Sequence, residues 1–169
     1  MSIHIRPVQQ ADAERIYFIM TQEGVMPTII STPSMRLQDM EKNLNQLGEH
    51  QHQFVAESDG IVVGFVGLTR SKGRRNHSAS LFLLVDEQKH GIGIGRKLME
   101  KVIDLADNWL MLERLELTVV AGNERAKKLY EHLGFIQEGV HRGTLIQYGT
   151  FVDEVSMARI RPGGLITIS

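Results

Sequence analysis

At 169 residues, with 42% hydrophobic and 23% charged side chains, the chain is long enough to bury one sizeable core, and its net charge of -1 gives no bulk pull toward nucleic acid or a membrane surface. The absence of cysteine excludes disulfides, thiolate metal sites and acyl transfer through a cysteine nucleophile, and it suits a reducing compartment. No stretch of 18 apolar residues occurs, and the N-terminal run Met1-Ser2-Ile3-His4-Ile5-Arg6 alternates like a strand without the apolar core of a signal peptide, so a cytoplasmic location is expected.

In chain order, Ile3 and Ile5 open a short strand, and Ala13, Ile16, Tyr17 and Met20 recur at the spacing of an amphipathic helix. Residues 24–31 are apolar without a clear period and read as a loop that packs against something. Thr32 and Pro33 then suit an N-cap and first helical position for a second helix, with Leu37, Met40, Leu44 and Leu47 as its apolar stripe. From Gln53 the period changes to two. Phe54 to Ala56, an Asp59-Gly60 hairpin turn, Ile61 to Thr69 and Ser78 to Val85 predict three successive antiparallel strands. The basic cluster Arg70, Lys72, Arg74 and Arg75 between two of them reads as a solvated turn.

A glycine-rich segment then leads into a helix predicted to present Ile94, Leu98, Val102, Leu105, Ala106 and Trp109 on one face, followed by a strand from Leu115 to Val120. A short helix from about Asn123 is predicted to bury Ala126, Leu129 and Leu133 and to stop at Gly134, a residue able to adopt positive φ. Two last strands, 139–147 and 151–160, flank a Tyr148-Gly149 turn, and residues 160–169 read as a loose tail. The order β-α-α-β-β-β-α-β-α-β-β predicts one α/β (α+β) domain over 1–169, with a mixed, mostly antiparallel sheet and about four helices.

The segment from Val85 to Met99 carries the chemistry. Gly91, Gly93 and Gly95 let an anion approach the backbone, the following helix N-terminus adds partial positive charge, and Arg96 and Lys97 add full charges, so a phosphate or pyrophosphate is the natural ligand. A P-loop is excluded because no Ser or Thr follows Lys97. A Rossmann fingerprint is excluded because Arg96 stands where its third glycine is needed and a meander precedes the loop.

At His90-Gly91-Ile92-Gly93-Ile94-Gly95 the sequence resembles the GNAT acetyltransferase superfamily, whose hallmark is an Arg/Gln-x-x-Gly-x-Gly/Ala loop between a strand and a helix. In this register His90 stands where that pattern has Arg or Gln; the literal match that starts at Gln88, Gln88-Lys89-His90-Gly91-Ile92-Gly93, fits the following helix less well. A second segment, Asn123-x-x-Ala126-x-x-Leu129-Tyr130-x-x-x-Gly134-Phe135, is similar to the superfamily's later CoA-binding and catalytic segment. The resemblance spans about Gly60 to Phe135. The run Asp107-Asn108-Trp109-Leu110 with Arg114 to Val119 is similar to a bacterial branch that includes L-amino-acid N-acetyltransferases.

The resemblance implies acetyl-CoA as cosubstrate, without a metal. It places the CoA pyrophosphate on His90, Gly91, Ile92, Gly93, Ile94, Gly95 and Arg96, with Asn123 either a further CoA contact or simply a helix N-cap. It implies that pantetheine pairs with Leu83, Leu84 and Val85 where their strand splays from the next, and that Tyr130 protonates the departing thiolate. With reference pKa values near 10 and about 8.5, such a donor suits such a thiol. Many members carry a Glu or Asp on the strand that here reads Ala79 to Leu84 without a carboxylate. Glu116, His77, a water chain or no strong base remain open.

A missing base bears on the acceptor. At pH 7.5 roughly a third of a peptide α-amine but only about 0.1% of a lysine amine is neutral, which leans toward an α-amino acceptor. Met26, Ile29 and Tyr148 suit an apolar pocket. The expectation is acetyl transfer to a primary amine of a small molecule by direct attack in a ternary complex, the alternatives being a protein N-terminal acetyltransferase and a non-catalytic CoA-binding sensor. No nucleic-acid, membrane or metal partner is expected, and the resemblance implies a homodimer.

Overall fold

The computed structural model describes residues 2–169, so Met1 of the alternating N-terminal run lies outside the described residues. The strands are β1 Ile3–Pro7, β2 Gln51–Ser58, β3 Ile61–Arg70, β4 Ser78–Val85, β5 Arg114–Val120, β6 Ile136–Gln147 and β7 Thr150–Ile160. The α-helices among the described residues are α1 Ala13–Met20, α2 Leu37–Asn45, α3 Ile94–Asp104 and α4 Glu124–His132. The strands pair in the order β1-β2-β3-β4-β5-β7-β6; β4 runs parallel to β5, whereas the pairs β1–β2, β2–β3, β5–β7 and β6–β7 are antiparallel. This is the mixed, mostly antiparallel α/β fold that the element order predicts.

The chain forms two compact units, Met1–Thr69 with Phe82–Ile103, and Arg70–Leu81 with Asp104–Ser169. In the first, β2 and β3 are joined by Asp59 and Gly60, both at positive φ (52° and 79°), the conformation whose twist suits a two-residue hairpin. Its core gathers Ile16 and Ile19 of α1, Met40 and Leu44 of α2, and Val55, Phe65 and Leu84 of the sheet. Each such side chain contributes about 1.5–3 kcal/mol on leaving water. Gly64 lets α3 lie on β3, because a Cβ there would come within 2.7 Å of Leu98 Cδ1 and 2.9 Å of Ile94 Cγ2.

The second helix begins later than expected. Its N-cap is Arg36, whose N–H donates to the Asp39 carboxylate at 2.9 Å, while residues 32–35 form a turn closed by Met35 N–H donating to the Thr32 carbonyl. The apolar stripe starts at Leu37, and an acidic residue three positions past the cap outweighs the earlier Thr-Pro signal.

In the second unit, β5, β7 and β6 are antiparallel neighbours, and Tyr148 and Gly149 turn the β6–β7 hairpin at φ of 50° and 78°. A wide π-helical turn, Leu105–Trp109, follows α3, with Leu110 N–H donating to the Leu105 carbonyl five residues back at 2.9 Å. This extra residue per turn rotates Trp109 off the expected apolar face, leaving it 75% exposed. The same turn gives Asp107 a bidentate ion pair with buried Arg159 at 2.9 and 2.8 Å. In α4 only Tyr130 is buried, whereas Ala126, Leu129 and the C-cap residue Leu133 are half-buried. The expected loose tail is tethered at its start, since Arg161 and Leu165 N–H groups both donate to Glu113.

Candidate active site

The glycine segment adopts the conformations that only glycine holds cheaply. Gly91 and Gly93 have φ of 80° and 87°, and nothing lies within 4 Å of where their Cβ atoms would be. The Lys97 N–H donates to the Gly93 carbonyl at 3.1 Å, which makes Gly93 the residue capping α3. A glycine cap has no side-chain oxygen. The N–H groups of Ile94, Gly95 and Arg96, which have no intrahelical acceptor, therefore face the loop together with the helix's positive end. Arg96 is exposed and pairs with Glu100 at 2.8 Å.

His90 folds back on the strand rather than standing over the loop. Its Nε2–H donates to the Val85 carbonyl at 3.0 Å, holding the strand end against the start of the glycine turn. The Asp86 N–H donates to the Val63 carbonyl of β3 at 2.9 Å, so by alternation the backbone groups of Leu84 also face β3, and its side chain is in the core. Leu83 and Val85 point their backbone groups away from β3. On that side the β4–β5 ladder runs only over Ser78↔Arg114, Ala79↔Leu115 and Ser80↔Glu116, although both strands continue to Val85 and Val120. Leu83 thus lies beyond the last paired residue of its strand.

A network that sequence reasoning missed anchors this segment. Asp86 is 2% exposed and caps the short turn Glu87–Lys89 by accepting the Gln88 N–H at 3.0 Å. It also accepts from Gln22 Nε2 at 3.0 Å and pairs with Arg15, whose Nε donates to the Val62 carbonyl at 2.8 Å. The other end of the Gln22 amide accepts the Glu87 N–H at 3.0 Å, and the Glu87 carboxylate accepts the Gly24 N–H at 2.7 Å. The start of the glycine loop is thereby tied to the start of the 24–31 loop. An acidic pair directly after a strand is visible in the sequence; its partners, 63 to 71 residues earlier, are not.

Tyr130 sits on α4 with its ring 5.9 Å from that of Phe135, whose N–H donates to the Tyr130 carbonyl at 3.0 Å. Burial pushes its phenol up to about 12, so the hydroxyl keeps its proton at every physiological pH. No hydrogen-bond partner for it is found among the described residues. Asn123 is the N-cap of α4, its Oδ1 accepting the Ala126 N–H at 3.3 Å.

The open candidates for a base differ in their surroundings. Glu116 accepts from Arg114 Nε at 3.1 Å and His77 is exposed, its carbonyl accepting the N–H groups of Glu113 and Arg114. Met26 is half-buried in a short turn, and Ile29 packs against the core of the first unit. Tyr148 is 84% exposed. Of the basic cluster, Arg70 donates to the Asn76 carbonyl and Lys72, Arg74 and Arg75 are exposed, the solvated turn expected of them. Among the described residues no cluster of three metal-ligating side chains occurs, and no helix is long and apolar enough to cross a membrane.

A glycine-capped helix after a strand whose edge becomes unpaired, together with a buried tyrosine on a later short helix, defines a class. Residues 16–135 match the Acetyltransferase (GNAT) family, and the chain belongs to it. It is an acetyl-CoA-dependent N-acetyltransferase. It is 37% identical over 110 residues to the L-amino acid N-acetyltransferase AaaT of Escherichia coli K12, a match covering 64% of this chain and 68% of that one. A GNAT-family acetyltransferase structure from Streptococcus pneumoniae superposes with a TM-score of 0.79 at 26% identity over 95% of this chain and 100% of that one. The fold is shared as well with the spermidine N-acetyltransferase of Vibrio cholerae solved with CoA and spermine, at a TM-score of 0.84 and 22% identity over 95% of this chain and 96% of that one. The open glycine positions and the capless N–H groups of α3 fit the pyrophosphate of such a cosubstrate.

Proposed function

We propose that this enzyme acetylates the α-amine of a small molecule, an amino acid being the favoured class, by direct attack in a ternary complex. When bound, acetyl-CoA supplies an activated acyl group as a thioester. The N–H groups of Gly91 to Arg96 hold its pyrophosphate, and the outward backbone groups of Leu83 and Val85 orient its pantetheine arm, Val85 being steadied by His90. Tyr130 holds a proton on Oη for a thiolate leaving group. Burial that raises the phenol also disfavours an unprotonated thiolate, so the donor and its target shift in the same direction.

The observation that carries the acceptor class is the absence of a carboxylate on β4, whose Ser78 to Val85 run offers no general base. An α-amine, less basic than a lysine or polyamine amine, suits such a site better; this sets α-amines apart from those amines without choosing between free amino acids and peptide termini. Identity of 37% to an L-amino acid N-acetyltransferase supports the same reading. The test is acetyl-CoA-dependent thiol release against amino acids, spermidine, aminoglycosides and short peptides. Turnover on free amino acids supports the reading, and turnover confined to polyamines or to peptides overturns it.

A further inference from the structure

Phe82 lies on β4, the fourth of seven strands, yet its side chain is 40% exposed. A large aromatic on a central strand is normally covered, because leaving it wet forfeits the burial that stabilises the sheet. Its surroundings hold it in place. The ring meets Phe65 edge-on, centroids 5.1 Å apart and planes at 63°, and Phe65 belongs to the buried core under α1 and α2. On the facing strand the neighbour is Gly67, where any Cβ would run into the Phe82 ring. Gly67 therefore makes the space that this rotamer occupies.

By alternation Phe82 shares a face with Leu84, which α1 and α2 cover, so the ring lies where the helical cover of that face ends. Ile29 of the 24–31 loop packs against the same core cluster. Phe82 is also the residue before Leu83, whose outward backbone the proposed function assigns to the pantetheine arm. A rigid apolar surface is thus held next to the residue expected to position the acyl donor.

We propose that Phe82, seated by Gly67, is a specificity-determining residue that contacts the side chain of the acceptor and selects α-amino acids with apolar or aromatic side chains. This rests on the acceptor class proposed above. An exposed ring face gives such a side chain a place to leave water, and it offers nothing to a polycation such as spermidine beyond the weak attraction of its π face.

The experiment compares wild type, Phe82→Ala, Phe82→Leu and Gly67→Ala in thiol release with leucine, methionine, phenylalanine, glycine and spermidine. Calorimetric titration of the CoA-saturated proteins with leucine supplies a readout independent of turnover, and the thermal shift given by CoA checks folding. The expected result is a wild-type preference for the apolar amino acids over glycine that falls about tenfold in Phe82→Ala, chiefly through KM, with a smaller fall in Phe82→Leu. Gly67→Ala, which displaces the ring without removing it, should change the ranking among leucine, methionine and phenylalanine, and the CoA shift should persist in all four proteins. Unchanged selectivity in a folded Phe82→Ala overturns the proposal, as does a wild type that acetylates amino acids without regard to their side chains. Turnover on spermidine alone overturns the acceptor class itself.

Discussion

The carboxylate of Glu87, the second residue after β4, accepts the backbone N–H of Gly24 at 2.7 Å, joining two loops that are 63 residues apart in the chain. With Gln22 bridging Asp86 and Glu87, the link fastens the entrance of the glycine loop to the loop after α1. Asp86 is the buried member. Asp86→Ala should cost about 2 kcal/mol in urea unfolding, less than a fully buried pair because Arg15 is nearly a third exposed. Glu87→Ala should cost about 1 kcal/mol and speed amide exchange at Gly24 and its neighbours.

Tyr130→Phe should lower kcat about 100-fold or more while the thermal shift with CoA stays as in wild type. Because burial raises the Tyr130 phenol to about 12, the group is a competent donor through pH 10. The kcat/KM profile should therefore rise with pH as the acceptor amine loses its proton and show no Tyr130-dependent fall below pH 10.

The same shift has a sign in stability. A phenol that titrates near 10 unfolded and about 12 folded binds more protons in the native state between those values, so its contribution is whole below pH 10 and is lost as pH rises toward 12. Two pH units at about 1.4 kcal/mol each give wild type an added loss of about 3 kcal/mol over that window, which Tyr130→Phe should lack in alkaline unfolding curves.

Gly64→Ala should destabilise the first unit by about 1–3 kcal/mol, because its Cβ would fall 2.7 Å from Leu98 Cδ1 and 2.9 Å from Ile94 Cγ2. Those two residues seat the first turns of α3. Calorimetry should show weaker CoA binding in the variant.

Asp107→Ala removes the partner of a guanidinium that is 10% exposed, and a loss of about 2–3 kcal/mol is expected in denaturant titration. Arg159→Met, which leaves no buried charge behind, should cost less despite removing the same ion pair. Equal losses would mean that the pair itself, rather than the stranded arginine, supplies the stability.

Much of the architecture was legible because it is local. Alternation marked the strands, Asp59-Gly60 and Tyr148-Gly149 marked the hairpins, and Gly134 marked the end of a helix at positive φ, since each signal resides in a few adjacent residues whose conformational preferences do not depend on distant partners. The resemblance to the GNAT family was carried by the same kind of short, ordered pattern. Where adjacent signals competed, as Thr32-Pro33 did with Arg36 and Asp39, the helix start was misplaced by several residues.

What depended on the folded chain is of another kind. Whether Trp109 points inward hinged on one extra residue in a π turn, and that turn is held by Arg159, 52 residues away. The fastening of Asp86 and Glu87 to Gln22 and Gly24, the end of the β4–β5 ladder at Ser80 and the exposure of Phe82 over Gly67 all join residues remote in sequence. Local propensity carries no information about such pairs, because their energies exist only once the strands have registered and the helices have docked.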